Sequence, residues 1–322
     1  MVTPQEYITS RLQSLKDTPE ITAPDDLKEF IFQTIMSKKF RKFSVAPEYI
    51  THIRGVIDTA VANNTPIKFI FPFGAYKLWR LAETPEPDWA ELFTLMHNSR
   101  WLMPIAKVYK PGVHFDFISD DVIIERLNNI PKCDTETYMR SFRAVVDFLV
   151  KYIPSNLKFT LTSVSSLYPT IEDFEAELTK KIVKRREEFG ETASIDEEAR
   201  RSVELNVKLR PSQADDPFWR ERVEFMHQAY RMVSLRRPYY YAKDTIFAFC
   251  MRLRGDKCVS IGTTKTSVAK FWVGVGALKP EADRFREYVL SPSQLETAKF
   301  NEVPISISSL TGRNFRRIKI LV

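Results

Sequence analysis

Residues able to do chemistry gather where three apolar runs end. "IKFIFPF" (67–73) is followed by Gly74 and then by Lys77, Trp79 and Arg80. "VHFDFIS" leads into Asp120, Asp121, Glu125 and Arg126, and "LKFTLTS" ends at Ser163, with Ser165 and Ser166 behind it. Two cations beside several carboxylates suit a phosphate-bearing or zwitterionic small molecule, because charge-assisted hydrogen bonds to phosphate and carboxylate are the strong ones. The simplest competitor is an ion pair at the sheet edge, Lys77 and Arg80 against Asp120 or Glu86. Adjacent aspartates have a further use: Asp120 and Asp121 can hold magnesium or manganese with a nucleotide-sugar diphosphate. Asp121 can equally cap the helix that begins "VIIERL". Farther on, "SIGTTKTSVAKF" sets Lys265 among Thr263, Thr264, Thr266 and Ser267. That connection would grip a phosphate through backbone amides and its lysine, or close a plain hairpin. His52, His97, His114 and His227 keep no metal-ligand spacing, and no GxSxG, HExxH or GxGxxG occurs. The common hydrolase, zincin and dinucleotide fingerprints are therefore missing, and no cofactor is assigned.

Such groups need a rigid frame. "DDLKEFIFQTIMS" places Leu27, Phe30, Ile31, Thr34 and Ile35 on one helical stripe behind Asp25 or Asp26, and "PEYITHIRGVIDTAVANN" repeats the pattern up to Asn63-Asn64. The run 67–73 reads as a strand buried on both faces. "PDWAELFTLMHNSRWLMPIAKVY" predicts an amphipathic helix opened by Asp88, with Trp89, Leu92, Phe93, Leu95 and Met96 inward. "VHFDFIS" alternates as a half-buried strand, "DTETYMRSFRAVVDFLVKYI" is a second amphipathic helix capped by Asp134 or Thr135, and "LKFTLTSVSS" is a third strand. Strand, helix, strand, helix, strand with short connections predicts a parallel α/β sheet, doubly wound, with right-handed crossovers that put both helices on one face. Residues 170–238 then read as a charged helical insertion. Residues 239–322 read as strands, "DTIFAFCMRL" and "KCVSIGTT" joined by a hairpin-like Arg254-Gly255-Asp256 turn, then "AKFWVGVGAL", "VPISISSL" and "FRRIKILV". The expected division is thus an α/β domain with N-terminal helices over 1–169, the insertion, and a β-rich portion that completes the fold. Ligands of open α/β sheets bind beyond the carboxyl ends of the strands, where the three residue groups sit. The strand 67–73 is then expected to hold Lys77 and Arg80 at the sheet's exit, with Trp79 walling the substrate from water.

Composition bounds the rest. Hydrophobic residues at 44% and charged residues at 28% of 322 are those of a globular protein with room for a large core or two domains. No apolar run is long enough to span a bilayer, and "MVTPQEYITSRLQSLKD" lacks the apolar centre of a signal peptide. Cys133, Cys250 and Cys258 form no CxxC pair, and the last two lie in apolar runs as small core residues. A cytoplasmic protein without a membrane partner is the expectation. The net charge of +7 permits nucleic acid but equally any anionic small substrate. Its cations are scattered, and the densest cluster, "KKIVKRREEFGE", has acids directly behind it. Nucleic acid is accordingly not the expected partner, and a non-enzymatic RNA-binding or interaction protein is the third functional class after two enzymatic ones. Homo-oligomerisation is left open.

The ordered set Phe71-Pro72 with Lys77, Pro87-Asp88 with Ala90-Glu91, Tyr109, Pro111-Gly112 and Ser119-Asp120 resembles the isocyanide (isonitrile) synthase family, over roughly residues 66–125. The resemblance implies a Rossmann-like α/β fold. It also implies a reaction in secondary metabolism that condenses the amine of an aromatic amino acid with ribulose 5-phosphate, whose carbonyl carbon becomes the isocyanide carbon. Such a transferase needs cations for the sugar phosphate and an acid/base pair for imine formation and fragmentation. Lys77 and Arg80 would serve the first need and Asp120 or Glu125 the second. Taken with the strand-end loops, Lys77, Asp120 and Glu125 are the expected catalytic residues, and Arg80, Trp79, Asp121, Ser163, Arg252 and Lys265 the expected substrate contacts. Arg252 and Trp272 stand in the second-half motifs, but no histidine accompanies them, and Asp121 replaces the family's glycine.

Overall fold

The structure is a computed structural model; it describes residues 2–74, 77, 85–128, 130–189, 242–250, 257–262 and 268–322. Three helices come first: α1 (Pro4–Lys16), α2 (Leu27–Ile35) and α3 (Pro47–Asn63). Local chemistry sets their ends. Thr3 and Glu6 close a capping box on α1, Asp26 accepts from the Glu29 amide to start α2, and Asn64 ends α3 at φ 52°.

The next elements are β1 (Ile67–Phe73), α4 (Trp89–Val108), β2 (Val113–Ser119), α5 (Asp121–Leu127), α6 (Lys132–Leu149), β3 (Leu157–Ser163), α7 (Ile171–Phe189), β4 (Thr245–Phe249) and β5 (Val259–Ser260). The five strands form one parallel sheet in the order β3-β2-β1-β4-β5. β1, β2 and β3 step outward one way, and β4 then returns to the other side of β1. The order therefore reverses between β1 and β4, where an α/β sheet opens its crevice. Register stacks the apolar rows: Phe69 lies beside Phe115 and Phe115 beside Phe159, with the rings of Phe69 and Phe115 5.7 Å apart. The α/β reading with a mostly parallel sheet holds. α4 and α6, the two crossover helices, pack on each other.

A second sheet contains β6 (Val275–Pro280), β7 (Phe285–Leu290), β8 (Phe300–Pro304) and β9 (Arg317–Leu321) in the order β7-β6-β9-β8, with α8 (Pro292–Thr297) between β7 and β8 in sequence. α4 touches strands of both sheets. For that reason it is not amphipathic: Leu92, Phe93, Leu95, Met96, Asn98 and Ser99 are all buried, covering every side of the helix.

Four other local expectations change. β4 and β5 pair in parallel rather than as the antiparallel arms of a hairpin, and Arg254-Gly255-Asp256 lies outside the described residues. In "VPISISSL" only Val303 and Pro304 belong to a strand, while β7, absent from the sequence reading, pairs along its whole length with β6. Pro131 starts α6, ahead of the expected caps, because Pro at this position presets the backbone and the Thr135 hydroxyl is engaged by Glu125. Asp121 begins α5 without capping it. α7 opens the segment read as a helical insertion; from 190 to 241 that segment lies outside the described residues.

Gly112, in the turn from α4 to β2, has φ +72°, and a Cβ there would lie 1.9 Å from the Asn156 carbonyl oxygen. Only glycine meets both demands. Cys250 and Cys258 are buried and Cys133 is exposed, and none of the three is in a disulfide. Among the described residues no helix is long and apolar enough to cross a membrane.

Candidate active site

Lys77, beyond the exit of β1, is buried, and all three of its ammonium donors are used. They reach Glu91 Oε1 and Oε2 at 2.8 Å each and Asp88 Oδ1 at 3.0 Å. Asp88 and Glu91 sit together because they are the N-cap and third residue of α4 in a capping box: the Asp88 amide donates to Glu91 Oε2 at 2.7 Å, and Asp88 Oδ1 accepts from the Ala90 amide at 2.7 Å. The Tyr138 hydroxyl, from α6, donates to Glu91 Oε1 at 2.6 Å, and the Gly276 amide, from β6, donates to Asp88 Oδ1 at 3.2 Å. Four elements therefore meet on two carboxylates and one cation. Gly276 is required by space: a Cβ would stand 2.4 Å from the Ala90 nitrogen.

The charges in this node are strongly perturbed. Burial pushes the Glu91 carboxyl up to about 7, with Asp88 adding to the rise and Lys77 opposing it. Burial works against the Lys77 charge, but Asp88 and Glu91 outweigh it and Lys77 is raised. Burial and then Glu91 hold the Tyr138 phenol well above its ordinary value. Between the ordinary carboxyl value of 4.5 and about 7, folded Glu91 holds a proton that the unfolded chain has released. The native state binds more protons there, so this contribution to stability is full at low pH and is lost as pH rises through that window. Urea midpoints at pH 5 and pH 7.5 should accordingly fall more steeply with pH in the wild type than in Glu91→Gln. Parallel pH dependences would show that the carboxyl is ionised throughout.

A cavity of about 770 Å³ opens at the carboxyl ends of β2 and β3. Asp121, Glu125, Ser163 and Ser165 line it, with Arg126, Lys132 and Arg143 as its cations. Asp121 accepts from both the amide and the hydroxyl of Ser165, tying the exits of the two strands together. Glu125 accepts from the Thr135 hydroxyl, and burial raises its carboxyl despite that bond. Arg126 pairs with Glu175 of α7 at 2.6 Å. A carboxyl biased toward its protonated form beside three cations can exchange protons with a bound anion.

The predicted residues thus fall into two places. Asp121, Glu125 and Ser163 share the β2–β3 cavity, whereas Lys77 borders a separate one of about 420 Å³ lined also by Arg313, Arg316 and Arg317. Lys77 pairs with neither Asp120 nor Glu86, the partners expected at the sheet edge, and has no donor left for a phosphate. Asp120 is buried, its amide donating to the Phe73 carbonyl at 3.1 Å, and it borders neither cavity. Trp79, Arg80, Arg252 and Lys265 lie outside the described residues. Among those that are described, no group of three or more His, Cys, Asp and Glu is placed to hold a metal ion. Sequence reasoning missed Tyr138, an unmarked aromatic on a helix. It treated Asp88 and Glu91 as a helix start, although their three-residue spacing is the capping-box signal that brings them together.

No protein-family model matches the chain, and no curated protein matches its sequence. Among solved structures, the crystal structure of the PvcA protein from Pseudomonas aeruginosa matches 92% of this chain and 100% of that one, with a TM-score of 0.57 and 16% identity. At that identity the likeness is one of fold: the chain is built on the same α/β architecture as PvcA.

Proposed function

We propose that the protein is an isocyanide-synthase-like enzyme that condenses an amino-acid amine with a sugar phosphate of the ribulose 5-phosphate class. The ordered resemblance over 66–125 and the PvcA-like fold support the family of chemistry. The observation that carries the site is the cavity at the ends of β2 and β3, where Glu125, Asp121 and Ser163 face Arg126, Lys132 and Arg143. About 770 Å³ accommodates two small substrates together. In this reading Glu125 moves protons during imine formation, Asp121 and Ser163 position the substrate, and the cations hold the phosphate. Asp120 supports the β2 exit from beneath, and Lys77 braces the β1 exit. Trp79, Arg80, Arg252 and Lys265, the other expected substrate contacts, lie outside the described residues.

Incubation with ribulose 5-phosphate labelled with carbon-13 at its carbonyl, plus tyrosine or tryptophan, tests the proposal. The expected result is a labelled isocyanide carbon by mass spectrometry and NMR. Glu125→Gln, which keeps the bond to Thr135, should slow its appearance about a hundredfold or more. No label transfer to either amino acid, or an unchanged rate in the variant, overturns the reading.

A further inference from the structure

A third cavity, of about 390 Å³, lies on the opposite flank of α4, between α1, the segment after α2, and β7. Its wall carries five cations, Arg11, Lys39, Arg100, Arg284 and Arg286, against two carboxylates, Glu281 and Glu287. The carboxylates do not satisfy them. Glu287 is shared by Arg11 at 3.2 Å, Arg100 at 3.3 Å and the Tyr7 hydroxyl at 3.5 Å, long contacts for a half-buried carboxylate. Glu281 is divided between Arg286 at 2.5 Å and Arg284 at 3.6 Å. Lys39 has only the Phe40 ring beneath it among the described contacts.

His97 adds an independent sign. Only 8% exposed, it lines the cavity from α4, and its Nε2 has no hydrogen-bond partner among the described residues; the Nε of Arg100, one turn on, has none either. A buried polar atom left unpaired costs stability, and native proteins keep such atoms where something else completes them. The Phe40 ring meets the imidazole edge-on, with the ring centroids 5.3 Å apart. Burial drives the ring's protonation down to about 4, so at neutral pH it is uncharged and Nε2 is a neutral hydrogen-bonding atom. One unpaired imidazole nitrogen set among surplus cations asks for a ligand that carries both an anionic group and a hydroxyl, which can donate or accept.

From this geometry we infer that the α1–α4–β7 cavity is a second ligand site, for a small hydroxylated anion such as a phosphorylated polyol. The anionic group sits among Arg100, Arg284 and Lys39, and the hydroxyl hydrogen-bonds His97 Nε2. This inference is independent of the reaction proposed above, because none of its residues borders the β2–β3 cavity.

Isothermal calorimetry with glycerol 3-phosphate, inorganic phosphate and glycerol as probes tests it, on the full chain. Glycerol 3-phosphate should bind more tightly than inorganic phosphate, and glycerol should not bind. Lys39→Gln and Arg284→Gln lie at the rim and should retain the wild-type melting temperature. Each should weaken glycerol 3-phosphate binding about tenfold or more, whereas Arg126→Gln, in the other cavity, should leave it unchanged. His97→Phe should bring glycerol 3-phosphate down to the affinity of inorganic phosphate. Absence of binding at millimolar concentration overturns the inference. So does binding that Arg126→Gln weakens as much as the rim variants do, which would place the probe in the β2–β3 cavity.

Discussion

A Lys77→Ala variant is expected to lose about 3–5 kcal/mol of stability, because removing one member of a buried ion cluster leaves the others uncompensated. For a chain of 322 residues that corresponds to a fall in melting temperature of roughly 5–8 °C. Lys77 is 2% exposed and Glu91 fully buried, so solvent screens their attraction little. The effect should be electrostatic in origin. Combining Lys77→Met with Glu91→Gln removes the cation and one carboxylate together and should recover part of the loss, whereas a purely steric role for Lys77 would make the double variant worse. Denaturation midpoints of the three proteins decide this. An Ala variant as stable as the wild type would mean that the cation does not hold the node.

Gly276→Ala should be almost as damaging. Its new methyl would fall 2.4 Å from the Ala90 nitrogen and 2.5 Å from Trp89, against a helix start that cannot retreat without breaking the Asp88 contacts. Overpacking of this kind costs about 1–3 kcal/mol and at times more. Because Gly276 and Lys77 serve the same junction, the two losses should add to less than their sum, measured as a double-mutant cycle. Strict additivity would show that β6 and the β1 exit are held independently.

The strands 67–73, 113–119 and 157–163 were legible because each is a short apolar or alternating run ended by glycine, aspartate or serine, and nothing distant competes with that signal. β7 was not, since Arg286 and Glu287 interrupt its pattern; Glu287 is drawn inward by Arg11 and Arg100 from two separate helices, which no local window contains. α4 misled for the same reason. The inward apolar residues were rightly placed, but the second sheet, contributed by residues 275–321, covers the flank that a lone helix would give to solvent. At the candidate site, Asp121, Glu125 and Ser163 came together as the strand order demands. Lys77 was read as a grip for phosphate because its two buried counterions look, in sequence, like a helix cap.

The double-sided burial of α4 also governs the order in which the chain can mature. Its inner flank can dock once β2 and β3 exist, but its outer flank waits for β6 and β7, made roughly 170 residues after the helix ends. At about 5–20 residues per second of synthesis, the nascent protein presents an uncovered apolar helix for on the order of 10–30 s. Chaperone capture during translation, and aggregation of chains stalled before β6, are the vulnerabilities that a helix without a solvent face brings with it.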